Sequence, residues 1–327
     1  MECVPNFSEG RDKNVIRQIA DAIGSVNGAK VLNVDPGEAA NRTVITFAGE
    51  PEAVAEAAFL GVKTAQQFID MSRHHGTHPR IGATDVLPFV PIRGITLDEC
   101  AMMARQLGRR MADELGIPVY LYEAAALRPK FRNLAVCRAG EYEGIAHKLS
   151  TPGEEPDLLP AYLMDHAQLP IDNWTAQHNY QLSIINCQLS KSGCSVVGAR
   201  DYLIAVNFNL NTTSKETATA IARQVRERGY QGQPGTLKCV KAIGWYIEEY
   251  GFAQVSCNLT NFRVTSLRQT FDEVSRVAQL HGVSVTGTEI IGLVPEEALF
   301  PDAVRILGLD QLRPFRMEEK VIEYLIH

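Results

Sequence analysis

The chain carries one order of predicted strands and helices twice. In its second half, β-branched and aromatic residues predict strands at 202–210, 239–247 and 253–262, with a short strand at 283–286. A helix is predicted in the first and third of the intervening gaps, because a serine or threonine can cap its start and a glycine follows its end. This order, βαββαβ, is that of a split-βαβ or ferredoxin-like unit.

The first half repeats this order. Strands are predicted at 3–7, 31–35, 43–48 and 85–92, and helices at 12–23 and 51–71. An additional helix and strand, at 97–115 and 118–122, follow. We therefore predict an α+β fold of tandem ferredoxin-like (βαββαβ) subdomains, a pseudo-twofold duplication. A cleft between such halves is a common ligand site, although the unit is widespread and by itself does not indicate a function.

The predicted elements divide the chain into three parts. These are an N-terminal subdomain at 1–150, an inserted linker or lid at 151–198, and a C-terminal subdomain at 199–327. The middle part contains several prolines and shows little helical or strand periodicity, and it is long for a connection inside a compact domain. Two interpretations of this part remain: it covers a site, or it is disordered.

The overall charge of the chain limits its partners. The 327 residues have a formal net charge of -6, with 45% hydrophobic and 21% charged residues, the balance of a soluble globular protein. No block rich in lysine and arginine is present, so we expect no nucleic-acid partner. An anionic substrate must meet a local basic site, because the field of the whole molecule is mildly repulsive.

The first residues and the cysteines indicate the compartment. Residues 1–6 lack the basic start and apolar run of a signal peptide, and no stretch of about 18 apolar residues could span a membrane. Seven cysteines are scattered without a CxxC pair, which argues against a structural zinc site. We expect reduced thiols and a cytoplasmic location.

Ionisable residues are concentrated between residues 72 and 85. The segment contains three of the eight histidines, two arginines and one aspartate in 14 residues. Gly76 and Pro79 exclude a regular helix, so His78 is expected on a loop of fixed shape beside cationic side chains. An imidazole with a pKa near 7 suits proton transfer. The segment is therefore a candidate active-site loop, and a solvated loop with a structural histidine is the competing interpretation.

Two other places combine an arginine with turn residues. Asp35 is expected at the carboxyl end of a strand and Arg42 at the start of the next, where the pair could orient a polar heterocycle. Gly198 is expected at the entrance to the first strand of the second half, where Arg200 could bind a carboxylate in bidentate fashion. For both places, an ordinary solvated turn is the alternative.

The chain shows little sign of a metal or nucleotide site. His74 and His78 have the i, i+4 spacing of metal ligands on a helix, but the glycine and proline between and after them argue against that helix, so no metal is expected. The phosphate-binding motifs GxGxxG and GxxxxGK[ST] are absent, which disfavours a dinucleotide or nucleoside triphosphate enzyme.

Several longer motifs resemble a known family. The motifs are Glu2–Gly10, Asn41–Thr43, Asp70–His74, His78–Asp85, Pro118–Tyr122, Arg138–Tyr142, Gly198–Arg200, Ala205–Leu210, Gly244–Tyr246 and Gly292–Pro295. They extend from residue 1 to about residue 300 and are similar to motifs of the glutamate formiminotransferase (glutamate formimidoyltransferase) family. The resemblance implies two ferredoxin-like subdomains with a folate tunnel between them, which agrees with the duplication.

The resemblance also implies an activity. Members of that family transfer the formimino group of N-formimino-L-glutamate to N5 of tetrahydrofolate, the co-substrate, in histidine catabolism, and they are expected to form homodimers. The catalytic histidine of the family falls on His78 and its active-site aspartate on Asp35. A folate-binding stretch of the family ends near Gly193, and this chain departs from the family just before it, between about 157 and 192.

These roles give a mechanistic hypothesis with defined alternatives. His78 would act as general acid and base, and Asp35 would orient its imidazole or hold a cationic adduct. The candidates for binding the folate and the substrate carboxylates are Arg42, Arg73, Arg80, Gly193, Gly198 and Arg200. The alternatives are a related folate enzyme that uses formiminoglycine or 5-formyltetrahydrofolate, and a folate-binding protein without catalysis.

Overall fold

A computed structural model describes residues 1–160, 189, 191–312 and 314–326. Two compact units are present, Met1–Arg200 and Asp201–His327. Most of the predicted linker or lid lies outside the described residues. Its two ends belong to the first unit, since Val119 and Leu158 exchange backbone hydrogen bonds of 2.9 and 3.0 Å and residues 195–199 form a strand. The first unit therefore extends past the predicted boundary at residue 150.

The first unit contains seven strands and five α-helices among its described residues. The strands are β1 (Glu2–Cys3), β2 (Asn6–Phe7), β3 (Ala29–Gly37), β4 (Arg42–Gly49), β5 (Thr84–Val90), β6 (Val119–Glu123) and β7 (Ser195–Ala199). The helices are α1 (Lys13–Gly24), α2 (Pro51–Phe68), α3 (Leu97–Leu115), α4 (Leu134–Cys137) and α5 (Ile145–Ser150). Three short 3₁₀ turns also occur, at Met71–Arg73, Pro129–Arg132 and Tyr142–Gly144.

One sheet organises this unit. The pieces β1 and β2 lie between β4 and β5, antiparallel to both, and β3 pairs with the far side of β4. The strands β1 and β2 replace a single predicted strand at 3–7. Pro5, which has no N–H to donate, lies between β1 and β2. On the other side of β5, β7 and β6 continue the sheet in parallel. The sequence did not predict β7, which is the central strand of this parallel extension.

The two faces of this sheet have different environments. Phe7, Phe47, Leu87 and Leu121 point to the face that packs against α1, α2 and α3. Side chains alternate along a strand, so the opposite face carries Asn6, Val86, Tyr120, Tyr122 and Val196. Part of this second face is covered by α4, α5 and the turns near them, which form a separate apolar cluster. The candidate site lies on the second face.

The described residues of the second unit form a four-stranded antiparallel sheet in the order β11-β8-β10-β9. Its elements are β8 (Ile204–Leu210), α6 (Lys215–Val225), β9 (Val240–Ile247), β10 (Phe252–Leu259), α7 (Leu267–Leu280), β11 (Val285–Ile291), α8 (Ala303–Leu307), α9 (Met317–Lys320) and α10 (Ile322–Leu325). The element order from β8 to β11 is βαββαβ, as expected, and the predicted α+β class is confirmed.

Local capping signals explain where several helices begin. Thr96 and Glu99 form a reciprocal capping box at the start of α3, and Gly116 ends that helix in a left-handed conformation with φ of 67°. Asp12 caps α1 through the N–H groups of Asn14 and Val15. Within the described ranges, no helix combines the length and apolar character needed to cross a lipid bilayer.

Candidate active site

The loop that carries His78 is fixed at its first end by the turn before β4. The Nε2 atom of His74 lies 2.8 Å from the carbonyl oxygen of Asn41, and the side-chain amide of Asn41 donates to the carbonyl of His75 at 3.0 Å. A side chain at Gly76 would place its Cβ 2.2 Å from the carbonyl oxygen of Ala40. His74 is therefore a buried structural residue, and Gly76 permits a close backbone contact.

The second end of the loop is fixed by the chain just before β7. Ala83 donates to the carbonyl of Ser192 at 2.8 Å, and Cys194 donates to the carbonyl of Ile81 at 3.0 Å. A Cβ at Gly82 would lie 2.0 Å from the carbonyl oxygen of Cys194, and one at Gly193 would lie 2.4 Å from that of Ile81. The structure therefore gives Gly193 a packing role against the loop.

The Nδ1 atom of His78 lies between an acceptor and a donor. Its Nδ1 atom lies 2.8 Å from the carbonyl oxygen of Pro79 and 3.1 Å from Nη1 of Arg42. The Pro79 carbonyl can only accept and the Arg42 guanidinium can only donate, so these two contacts favour opposite tautomers of the ring. A ring proton on Nδ1, facing Pro79, leaves Nε2 as the atom that accepts a proton.

The surroundings of His78 keep its ring neutral. Burial lowers the pKa of His78 well below its usual value, and the positive charges of Arg42 and Arg138 lower it further, against smaller opposing effects of Asp85 and the Pro79 carbonyl. The lowered pKa of His78 therefore disagrees with the expected value near 7. At neutral pH the ring of His78 is therefore unprotonated and can accept a proton.

Asp85 joins two arginines beside this histidine. Arg138 donates to its carboxylate from Nε at 3.1 Å and from Nη2 at 2.5 Å, and Arg42 donates from Nη1. The backbone N–H of Ile81 donates to the same carboxylate at 3.0 Å. Burial alone would raise the pKa of Asp85, but Arg138, Arg42 and His78 lower it overall. Asp85 is therefore ionised at neutral pH.

Arg42 links Asp85 and His78 to the sheet. Its Nε atom donates to the side-chain oxygen of Asn6 at 2.9 Å, so its guanidinium is held between β2 and the His78 loop. Burial lowers the pKa of Arg42 to about 10, although Asp85 opposes that effect. Tyr122 lies near Arg42, and its phenol accepts a hydrogen bond from Arg200. Burial raises the pKa of Tyr122 to about 12.

The other predicted arginines have different surroundings. Arg80 is buried and donates to Glu141 at 3.0 Å and to Glu143 at 2.7 and 2.8 Å, so its guanidinium is engaged in protein contacts. Its predicted role in binding a substrate is not supported by these contacts. Arg73 is exposed in the turn before the loop. Arg42 is a predicted arginine that contacts His78, at 3.1 Å.

Asp35 and Gly198 do not occupy the predicted positions. Asp35 lies inside β3, opposite Val44, rather than at the end of a strand. Val44 is also opposite Asn6, so Asp35 lies on the same face of the sheet as Asn6, the residue that accepts a hydrogen bond from Arg42. Gly198 lies in β7 of the first unit, and a Cβ there would be 2.4 Å from the ring of Tyr122. The small size of Gly198 therefore accommodates Tyr122.

Two family models match the chain. The model described as "Formiminotransferase domain, N-terminal subdomain" matches residues 1–168, and the one described as "Formiminotransferase domain" matches residues 205–303. The chain belongs to the formiminotransferase family. The resemblance found in the sequence motifs is thus confirmed.

Curated relatives of the formiminotransferase family match the whole chain. It is 38% identical to "Glutamate formimidoyltransferase" of Thermoplasma acidophilum and 39% identical to the protein of that name from Streptococcus pyogenes, in each case over 99% of this chain and 97% of the relative. It is 43% identical to "Formimidoyltransferase-cyclodeaminase" of Sus scrofa over 100% of this chain and 60% of the relative. The chain thus spans about three-fifths of the length of the animal relatives.

Three residues that the structure brings together with Arg42 near His78 were not predicted as site residues: Asn6, Asp85 and Arg138. All three lie in motifs that carried the family resemblance. No local pattern assigns them a role, because Asp85 and Arg138 are 53 residues apart and meet only in the folded unit. Among the described residues, no group of three His, Cys, Asp or Glu side chains could hold a metal ion.

Proposed function

We propose that this chain transfers the formimino group from N-formimino-L-glutamate to N5 of tetrahydrofolate, in histidine catabolism. The supporting observation is the buried His78, whose lowered pKa keeps the ring neutral beside Arg42, in a member of the formiminotransferase family. Two relatives named glutamate formimidoyltransferase match nearly all of this chain and of their own length. Tetrahydrofolate enters this proposal as a co-substrate.

The reaction requires two proton movements. N5 of the reduced pterin attacks the formimino carbon and forms a tetrahedral adduct, in which N5 has become acidic. His78 takes the proton from N5 at Nε2 and returns it to the glutamate nitrogen. The bond from carbon to that nitrogen then breaks, and L-glutamate leaves with 5-formiminotetrahydrofolate as the other product. One group that serves both steps contributes about 10²–10⁴-fold to the rate.

The surroundings of His78 suit this cycle. We assign the ring proton to Nδ1, which lies 2.8 Å from the Pro79 carbonyl oxygen, so that Nε2 is the basic atom. When the ring becomes protonated, the carboxylate of Asp85 offsets part of the new charge. A strongly lowered pKa also makes the protonated ring a good acid, so it returns the proton readily to the departing nitrogen.

Other assignments complete the proposal. Asp35 shares the face of the sheet that carries the cluster, and we assign it to the positive charge of the adduct. Arg200 and Arg73 are assigned to the carboxylates of the folate tail. A cytoplasmic location and a homodimer, without nucleic-acid or membrane partners, belong to the same proposal; the six described cysteines are free thiols, which is consistent with that location.

The first experiment tests the donor. Protein, tetrahydrofolate and N-formimino-L-glutamate are mixed, and the absorbance of 5-formiminotetrahydrofolate or of the 5,10-methenyl form derived from it is followed. We expect product with this donor. Product with formiminoglycine alone, or with 5-formyltetrahydrofolate alone, would replace the proposed donor by one of the alternatives, and binding of folinate without any turnover would indicate a non-catalytic folate-binding protein.

The second experiment tests His78. We expect His78→Ala to lower the transfer rate by about 10²–10⁴-fold while folinate binding stays close to that of the unchanged protein. His147→Ala is the matched control, because His147 is an exposed histidine of α5 whose ring contacts the hydroxyl of Thr151. A His78→Ala protein that keeps the full rate would remove His78 from the mechanism.

A further inference from the structure

Two guanidinium groups share one carboxylate next to His78. Arg138 binds Asp85 through two nitrogens, and Arg42 binds the same carboxylate and contacts the histidine ring. The side chains are largely buried, with 11% of Arg42, 12% of Arg138 and 1% of Asp85 exposed. The three side chains form what we call the Asp85 cluster.

The Asp85 cluster has an excess of positive charge. Two arginines that stay protonated and one ionised carboxylate leave one net positive charge, and the neutral ring of His78 does not offset it. A largely buried charge is costly unless a counter-charge accompanies it. An anionic group next to the two guanidinium groups would supply that counter-charge.

The arginine geometry favours a carboxylate as this group. A guanidinium presents five N–H donors in a planar fork that matches a carboxylate. Asp85 receives one N–H of Arg42 and two of Arg138, so each arginine has further N–H donors. The other contacts of Arg42 are with the neutral ring of His78 and with Asn6, an uncharged residue.

We propose that Arg138, together with Arg42, binds a carboxylate of the formimino donor, and that Asp85 is the positioning residue that holds both arginines in place. This inference rests on the proposed function and specifies how the donor is bound. The α-carboxylate of formiminoglutamate is attached to the carbon that carries the reacting nitrogen. Binding that carboxylate at Arg42 brings the reacting nitrogen close to the imidazole of His78, since Arg42 is 3.1 Å from the ring.

A purely structural role for Arg138 gives a different expectation. In that case Arg138 only anchors the end of α4 to the sheet through Asp85. Its loss would then lower stability and affect donor and folate binding alike. A selective effect on the donor separates the two roles.

The test compares Arg138→Gln and Arg138→Lys with a matched control, Arg128→Gln. Like Arg138, Arg128 pairs with a nearly buried carboxylate, that of Asp157. Its second carboxylate partner is Glu155, and neither partner belongs to the Asp85 cluster. Steady-state kinetics give KM for N-formimino-L-glutamate and for tetrahydrofolate. Calorimetry measures binding of N-formimino-L-glutamate and of folinate, and a melting curve reports on folding.

We expect Arg138→Gln to raise the donor KM by about 10- to 100-fold, because it removes charge-assisted hydrogen bonds to the donor. Folinate affinity should change by less than about twofold. Arg138→Lys keeps the charge but loses the fork, so its donor KM should lie between those of Arg138→Gln and the unchanged protein. Arg128→Gln should lower the melting temperature and leave the donor KM unchanged.

Each outcome decides the proposal. A folded Arg138→Gln protein with an unchanged donor KM overturns it, and so does an equal loss of donor and folinate binding. If Arg138→Gln does not fold, Arg138→Lys decides by the same two measurements. If the unchanged protein shows no transfer, the proposed function fails, and calorimetry then decides alone: weaker donor binding in the variant supports the carboxylate site, whereas equal or absent binding overturns it.

Discussion

The substitution Asp85→Asn removes the one negative charge that holds the cluster together. The amide has nearly the shape of the carboxylate and can still accept the N–H of Ile81, which now bonds Asp85 at 3.0 Å. It cannot neutralise Arg42 and Arg138, so two largely buried cations remain close together without a counter-charge. The change therefore tests charge with little change in volume.

The expected loss of stability follows from the burial of this ion pair. Removing one partner of a buried pair costs about 3–5 kcal/mol, because the other charge is left buried and uncompensated. A structural unit of this size loses roughly 2–4 °C in melting temperature per kcal/mol. The transition of the first unit should therefore fall by roughly 6–20 °C.

The pH dependence has a definite sign. The folded-state pKa of Asp85 is lowered, so its contribution to stability is complete above the unfolded-state pKa of about 3.9 and is lost as the pH falls through the lower folded-state pKa. The difference between the two proteins should therefore be the same at pH 7 and pH 5. It should shrink only below about pH 4.

Urea unfolding of both proteins at pH 7 and pH 5 measures this difference. Asp113→Asn is the control, because Asp113 forms an exposed i, i+4 pair with Arg109 on α3, and such a pair contributes about 0.3–0.5 kcal/mol. Two results would refute the reasoning. One is an Asp85→Asn protein within about 1 kcal/mol of the unchanged protein, and the other is a difference that already shrinks between pH 7 and pH 5.

Three further predictions address the loop, the backbone and a helix end. Because the pKa of His78 is lowered well below its usual value, kcat/KM should stay level from pH 8 to pH 7 and decline only below the usual histidine pKa of about 6.5; a decline that begins above pH 7 would contradict this. Gly82→Ala should lower the free energy of unfolding in urea by about 3 kcal/mol or more, because its Cβ would lie 2.0 Å from a carbonyl oxygen. The control Gly94→Ala, at a position with φ of 70° and open space around it, should lower that free energy by only about 1–2 kcal/mol. Thr96→Ala should cost about 0.5–2 kcal/mol through loss of the capping box, and an unchanged midpoint would show that the cap does not contribute.

Local signals were sufficient for most elements of the fold. The predicted helix at 97–115 has the observed bounds, because the capping box at Thr96 and the left-handed Gly116 act within a few residues of the helix they limit. The content of β-branched and aromatic residues also placed the strands of the second half to within a few residues. Predicted and observed strands differ most at residues 283–286, where the observed strand is Val285–Ile291.

Pairing across the sheet could not be predicted in the same way. The segment Ser195–Ala199 is short and apolar and precedes β8 by only a few residues, so its position in the sequence suggests the start of the second unit. Its partners are β5 and β6. Only the parallel pairing with these distant strands assigns β7 to the first unit.

The sequence by itself determined the α+β class, the repeated element order and a fixed loop carrying His78, since helix caps, strand alternation and the positions of glycine and proline act over a few residues. Its family motifs also indicated the chemistry. The tertiary structure alone decided the pKa shift of the histidine and the partners of the arginines. The pKa of His78 depends on burial and on charges contributed by β4 and the end of α4, and Arg80 is engaged by carboxylates about 60 residues away in the chain. Such effects depend on distances through space, which the order of residues does not contain.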